Sequence, residues 1–253
     1  MWEAQSGDGA MRQCLFSIPV LIASCTGVEA SCIDPSTLVH STVSITREFS
    51  EKDRNAEPAT LGIRGTAWFL SPRLIVTAAH VVDAMRLSAQ DWKEIEIRER
   101  ENKWSISTRV FRIAGFQREK VAVLELESAF PGAGALPIRM EPLVPEERVI
   151  SVAYPNNRLR FAEGRFVEFG ADARFGGAAL LEIHDGNDRL VIDHGASGAP
   201  VLDCAGRVVA VVSTAITQTI NLMSPPVRIS TAWQSPNVVA IPIQALSESI
   251  RSD

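Results

Sequence analysis

The sequence has one tyrosine, four histidines and four cysteines in 253 residues. It lacks any excess of positive charge. Lys and Arg number 25 against 30 Asp and Glu, a net charge of −5, and no basic cluster stands out. That argues against nucleic acid or an anionic membrane as the main partner. No spacing of Cys or His matches a metal site, so neither a metal nor a cofactor is expected. No internal repeat recurs at a fixed period, which excludes a solenoid or propeller. The apolar run Cys14 to Ala23 is too short to span a membrane. What remains is a chain long enough to bury a good core, as one large domain or two small ones. Valine is frequent and turn residues are spread evenly, which favours many short strands over long helices.

The N-terminus reads as an export signal. Met11-Arg12 precedes the apolar run, and Val28-Glu29-Ala30 has the small-residue pattern of a signal-peptidase site. A second processing route is open, because Ile22-Ala23-Ser24-Cys25 resembles a bacterial lipobox that would put a lipid on Cys25. Either route predicts export, to a bacterial periplasm or beyond it, with a lipoprotein as the alternative. Cleavage after Ala30 leaves Cys32 and Cys204, either as a disulfide suited to an oxidising compartment or as two free thiols.

Beyond the leader, Asp34 to Pro58 is polar and reads as mixed loop and strand. Strands are expected at Thr66–Leu70, Leu74–Thr77, Lys93–Arg98, Ser105–Ile113 and Val121–Leu126, with a single helical turn after His80 over Val81–Leu87. Pro131 to Glu147 holds four prolines and reads as a crossover between two halves. Further strands are expected at Arg148–Ala153, Phe161–Phe169, Ala178–Ile183, Arg189–Ile192 and Val238–Ile241. Pro200 to Ser213 reads as a hairpin turning at Asp203-Cys204-Ala205-Gly206. The span Thr214 to Asn237 has no clear pattern and reads as a long loop. Pro242 to Ile250 is a short amphipathic helix with Ile243, Leu246 and Ile250 on one face, and no PDZ-like module is expected after it. The fold class is therefore all-β, in two halves with a terminal helix.

Two segments carry chemistry. Thr77-Ala78-Ala79-His80-Val81 puts a histidine at the end of an apolar strand. Asp193-His194-Gly195-Ala196-Ser197-Gly198-Ala199-Pro200 puts a serine in a glycine-rich turn. A histidine that takes a proton from a serine hydroxyl turns a weak nucleophile into a strong one. A sharp turn of this kind aims the N–H groups of Gly195 and Ser197 at one spot, forming an oxyanion hole. None of His40, His80, His184 and His194 follows Ser197, so an α/β-hydrolase arrangement is excluded.

Together these segments resemble the trypsin-like (chymotrypsin-fold) serine peptidases, especially the bacterial branch of periplasmic heat-shock proteases. The resemblance runs from Gly62 to Leu246. It rests on Gly65-Thr66-Ala67-Trp68-Phe69-Leu70 leading to His80, on Val121-Ala122-Val123-Leu124-Glu125-Leu126, on Gly195 to Val201, and on Val239-Ala240-Ile241-Pro242. It implies two six-stranded antiparallel β-barrels, in residues 31–140 with His80 and 141–253 with Ser197 and the terminal helix, after a 1–30 leader. It implies that His80 is the general base, that Ser197 is the nucleophile, and that Gly195 and Ser197 supply the oxyanion donors. An extended polypeptide substrate would pair with Ser213, Thr214 and Ala215. A gapless alignment puts Val191 near the floor of the specificity pocket, which argues for small or apolar residues before the scissile bond.

One position departs from the family. The acidic member of the triad normally stands just before the Val-Ala-Val-Leu strand, and here that residue is Lys120. An ammonium accepts no hydrogen bond from the imidazole and repels the imidazolium. Losing the acid in the well-studied triad costs about 10⁴ in turnover. Glu119 is adjacent but points to the opposite face by strand alternation unless a bulge intervenes. Asp83, Asp91 or Asp193 would have to substitute from another loop. His194, close to Ser197 in sequence, has no role by the resemblance. Two readings therefore stand: a serine endopeptidase, and a weak or inactive peptidase fold that binds peptides.

Overall fold

A computed structural model describes residues 32–50, 62–116, 119–171, 177–185, 195–215, 218–220, 227–229 and 235–246. The leader, with Cys25, lies outside them, as do the expected strand at Arg189–Ile192 and residues Val191, Asp193 and His194. A 3-10 turn at Pro35–Leu38, closed by the Asp34 carboxylate on the Ser36 N–H, leads into β1 (Thr42–Glu48). Next come β2 (Gly62–Ser71), β3 (Leu74–Ala78), α1 (Ala79–Ala84), β4 (Lys93–Glu99), β5 (Asn102–Phe116) and β6 (Glu119–Leu126). These six strands close an antiparallel barrel in the order β1-β2-β3-β6-β5-β4.

After the proline-rich stretch follow β7 (Arg148–Ala153), β8 (Arg160–Phe169), β9 (Ala179–His184), β10 (Pro200–Leu202), β11 (Val208–Ala215) and β14 (Val238–Pro242). They close a second barrel in the order β10-β11-β14-β9-β8-β7. The span without a clear pattern holds a small hairpin of β12 (Gln218–Ile220) and β13 (Val227–Ile229) rather than only a loop. The helical turn also differs from expectation. It starts at Ala79 and so contains His80, because Ala78 already has the extended dihedrals of a helix N-cap. Pro242 closes β14 rather than opening a helix, and residues 244–246 are helical.

The strands that read as continuously apolar are buried on both faces. Ala122 and Leu124 of β6 fill the first barrel with Phe69, Ile75 and Ile97. Their neighbours Val121 and Val123 face outward, into a third cluster with Trp68, Val76, Val152, Val211 and Ile241. That cluster joins the outer surfaces of the two barrels, while Phe166, Leu181 and Val209 fill the second. Burying a side chain of this size contributes about 1.5–3 kcal/mol. The third cluster therefore makes the barrel–barrel contact a core rather than a hinge.

The crossover is stitched to both halves. Leu136 N–H donates to the Phe69 carbonyl on β2 (2.9 Å), and Val208 N–H of β11 donates to the Pro137 carbonyl (2.7 Å). Arg139 is nearly buried and binds Glu147 and Asp203 with its guanidinium. Cys32 and Cys204 form a disulfide across 172 residues, and the Ile33 N–H donates to the Cys204 carbonyl (3.0 Å). The start of the described chain is thereby tied to the β10–β11 turn.

Candidate active site

His80 is the second residue of α1, directly after β3. Ala79, Val81 and Val82 are buried while His80 is exposed. The helix packs tightly on β2, where a Cβ on Gly65 would lie 2.6 Å from Val81 Cγ1. The small residues before His80 thus do what their size allows: Ala78 and Ala79 bury without displacing the helix.

Ser197 sits half-buried in a turn that only glycine can complete. Gly195 and Gly198 have φ of +98° and +93°, values L side chains rarely adopt. A Cβ on Gly195 would stand 3.0 Å from the Tyr154 carbonyl oxygen. Ala199 N–H closes the turn on the Ala196 carbonyl (3.0 Å). The turn then zips onto β11: Gly198 N–H donates to the Val212 carbonyl and Val212 N–H to the Ala199 carbonyl, both 2.8 Å. The Ser197 hydroxyl donates to the Ser213 carbonyl at 2.9 Å. Ser213 is buried at a bulge in the pairing of β11 with β14, Thr214 beside it is exposed, and Ala215 pairs with Val238.

Thr66 on β2 joins the two sequence motifs. Its N–H donates to the Ser197 carbonyl (2.9 Å) and its hydroxyl to the Gly195 carbonyl (2.6 Å). Its own carbonyl accepts the Thr77 hydroxyl (2.8 Å), three residues before His80. The Thr66 hydroxyl also accepts the Tyr154 N–H (3.0 Å). Tyr154 opens a strap, Tyr154–Asn157, that crosses to the first barrel. Asn157 accepts a hydrogen bond from the Ser44 hydroxyl (2.9 Å), and the Tyr154 hydroxyl accepts one from the Arg100 N–H (3.2 Å). Burial pushes the Tyr154 phenol above the usual tyrosine range, against the opposing pull of the Arg100 N–H. Sequence reading missed both Thr66 and the strap. Their signals were a threonine inside an apolar strand and the asparagine pair at 156–157, both with positive φ.

The carboxylates proposed to orient His80 lie on different elements, and Asp193 is outside the described residues. Asp83 is exposed on α1, and Asp91 is exposed and accepts a hydrogen bond from Ser88. Glu119 pairs by backbone with Phe116. Lys120 is exposed and pairs with Gly115, next to Val121, whose partner on β3 is Ala78. Among the described residues, no group of three or more His, Cys, Asp or Glu could hold a metal ion.

The model of the trypsin-like peptidase domain family matches residues 65–211, more than half of the chain, from the Gly65-Thr66 segment through the Ser197 turn. The chain belongs to the trypsin-like peptidase domain family. Solved structures agree on the fold of this trypsin-like domain. The active form of the Rv3671c protease from M. tuberculosis matches with a TM-score of 0.56 and 17% identity, covering 88% of this chain and 87% of that one. The inactive form of the same protease matches with a TM-score of 0.54 and 16% identity, over 86% of this chain and 91% of that one. An inactive-form serine-to-alanine mutant of Rv3671c gives 0.54 and 16%, over 86% and 88%. No curated protein sequence matches the chain significantly. Among the described residues, no helix is long and apolar enough to cross a membrane.

Proposed function

We propose that this trypsin-like protein is an exported serine endopeptidase with Ser197 as nucleophile and His80 as general base. One observation carries the reading: Thr66 holds both the Ser197 turn and, through Thr77, the strand that leads into the helix carrying His80. In the reaction, His80 takes the Ser197 hydroxyl proton as Oγ attacks the scissile carbonyl. The N–H groups of Gly195 and Ser197 hold the oxyanion of the tetrahedral intermediate. His80 returns the proton to the leaving amine, and water then releases the acyl group from Ser197. An extended substrate lies along Ser213, Thr214 and Ala215. The Ser197 hydroxyl leaves the Ser213 carbonyl when it turns to His80. The leader motifs and the Cys32–Cys204 disulfide support export to an oxidising compartment.

A fluorophosphonate probe tests this reading. Ser197 is expected to be labelled, and Ser197→Ala to lose the label. No labelling of the folded protein at any pH would overturn the catalytic assignment. Lys120 at the family's acidic position favours a second reading, a peptide-binding module on the same fold. In that case Ser197→Ala leaves the biological activity intact and peptide binding persists.

A further inference from the structure

We propose that Thr66 is a positioning residue that sets the oxyanion hole from the opposite barrel; the proposal rests on the reading of Ser197 as nucleophile. The Ser197 N–H belongs to the Ala196–Ser197 peptide. Its direction is fixed by what the carbonyls of that peptide and its neighbours bind. The Gly195 carbonyl takes the Thr66 hydroxyl, the Ala196 carbonyl takes the Ala199 N–H, and the Ser197 carbonyl takes the Thr66 N–H. Two of these three restraints come from one residue, and that residue is fully buried.

The hydroxyl is used in both directions. It donates to Gly195 and accepts from Tyr154, the residue whose carbonyl crowds Gly195. Thr66 is thus the point where β2, the Tyr154–Asn157 strap and the serine turn are registered against one another. A hydroxyl does this because a single oxygen both gives and takes a hydrogen bond. Valine has the same shape and does neither. Without the hydroxyl the Gly195 carbonyl loses its partner in a partly buried setting, and the turn relaxes to find another. Small misplacement of oxyanion donors lowers turnover while leaving ground-state binding nearly unchanged.

The test compares Thr66→Val with Thr66→Ser, each checked for folding by circular dichroism and thermal melting. Thr66→Val is expected to lower kcat on a peptide ester and the fluorophosphonate labelling rate by about 10²-fold, with KM little changed. Thr66→Ser, which keeps the hydroxyl, restores most of both rates. In amide NMR spectra, Thr66→Val shifts the Gly195, Ser197 and Gly198 signals and Thr66→Ser leaves them near the parent positions. A folded Thr66→Val that labels at the parent rate overturns the proposal and leaves Ser197 as nucleophile. A parent protein that never labels overturns the catalytic reading instead. The amide signals then decide the positioning role, and unmoved signals in Thr66→Val overturn it.

Discussion

A Cβ on Gly198 would lie 2.1 Å from the Thr66 carbonyl oxygen and 2.2 Å from Thr77 Oγ1. No rotamer change relieves a clash with backbone, so the turn and the β2–β3 hairpin would have to part. Gly198 also has a φ of +93°. Gly198→Ala is therefore expected to cost on the order of 3 kcal/mol or more, from overpacking and left-handed strain together. Gly132 is the control. It too has positive φ, +76°, but a Cβ there meets nothing within 4 Å. Gly132→Ala should cost only the backbone term, about 1–2 kcal/mol. Urea unfolding of the two variants measures the difference, and equal losses would refute the packing argument.

The Cys32–Cys204 disulfide closes a segment spanning 172 residues. The loop-entropy model gives a cross-link of this length a stabilisation of about 5 kcal/mol. Paired replacement by serine should lower the unfolding free energy by an amount of that order. The Ile33–Cys204 backbone hydrogen bond and the packing of Ile33 against Gly206 keep the N-terminal segment docked in the native state. The loss should therefore appear mainly as slower refolding of the unconstrained chain and as a lower urea midpoint, while the folded spectrum is retained.

Arg139 anchors the crossover through two carboxylates. Its hydrogen bonds hold the Glu147 carboxyl below the usual range. Burial pushes Asp203 upward, but hydrogen bonds from the Arg207 backbone and side chain, helped by Arg139, outweigh it and hold that carboxyl low as well. Both groups ionise more readily folded than unfolded. Their contribution is full above about pH 5 and is lost as pH falls through their depressed values. Arg139→Met leaves two largely buried carboxylates with fewer partners and should cost on the order of 3 kcal/mol at pH 7. The gap between variant and parent should narrow as pH falls from about 5 toward 2. A gap that is constant over that range would show that Arg139 acts by packing alone.

Local strings were legible in the sequence and remote pairings were not. The β2, β3, β4 and β6 strands show as apolar or alternating runs between turn residues, and the His80 and Ser197 motifs are each contiguous. β1 was not located because its buried face carries hydroxyls: Thr42 and Ser44 are as buried as Val43 and Ile45. β5 runs beyond its expected ends because its outward residues, Asn102 and Lys103 among them, are polar and conceal the extension. The role of Thr66 depends on a contact 129 residues away, and its link to Tyr154 spans 88. No periodicity encodes such a contact. A buried threonine in an apolar strand is the only local sign of it.

Lys120 is the position where chemistry and family pattern part. Its neighbour Val121 pairs with Ala78, the last residue before the helix that carries His80. Lys120 itself is exposed and pairs with Gly115. By the family pattern, a carboxylate placed there would accept the imidazole N–H and stabilise the imidazolium formed during attack. Lys120→Asp should therefore raise kcat on a peptide ester by about ten-fold or more, toward the 10⁴ that the acid is worth in a complete triad. The gain should vanish in Lys120→Asp combined with Ser197→Ala, which separates it from nonspecific hydrolysis. An unchanged rate in the single variant, against a parent that turns over the ester, would mean that His80 takes its orientation from another group. Asp83→Asn and Asp91→Asn would then distinguish the two exposed candidates, since only the orienting acid should lower kcat without moving KM.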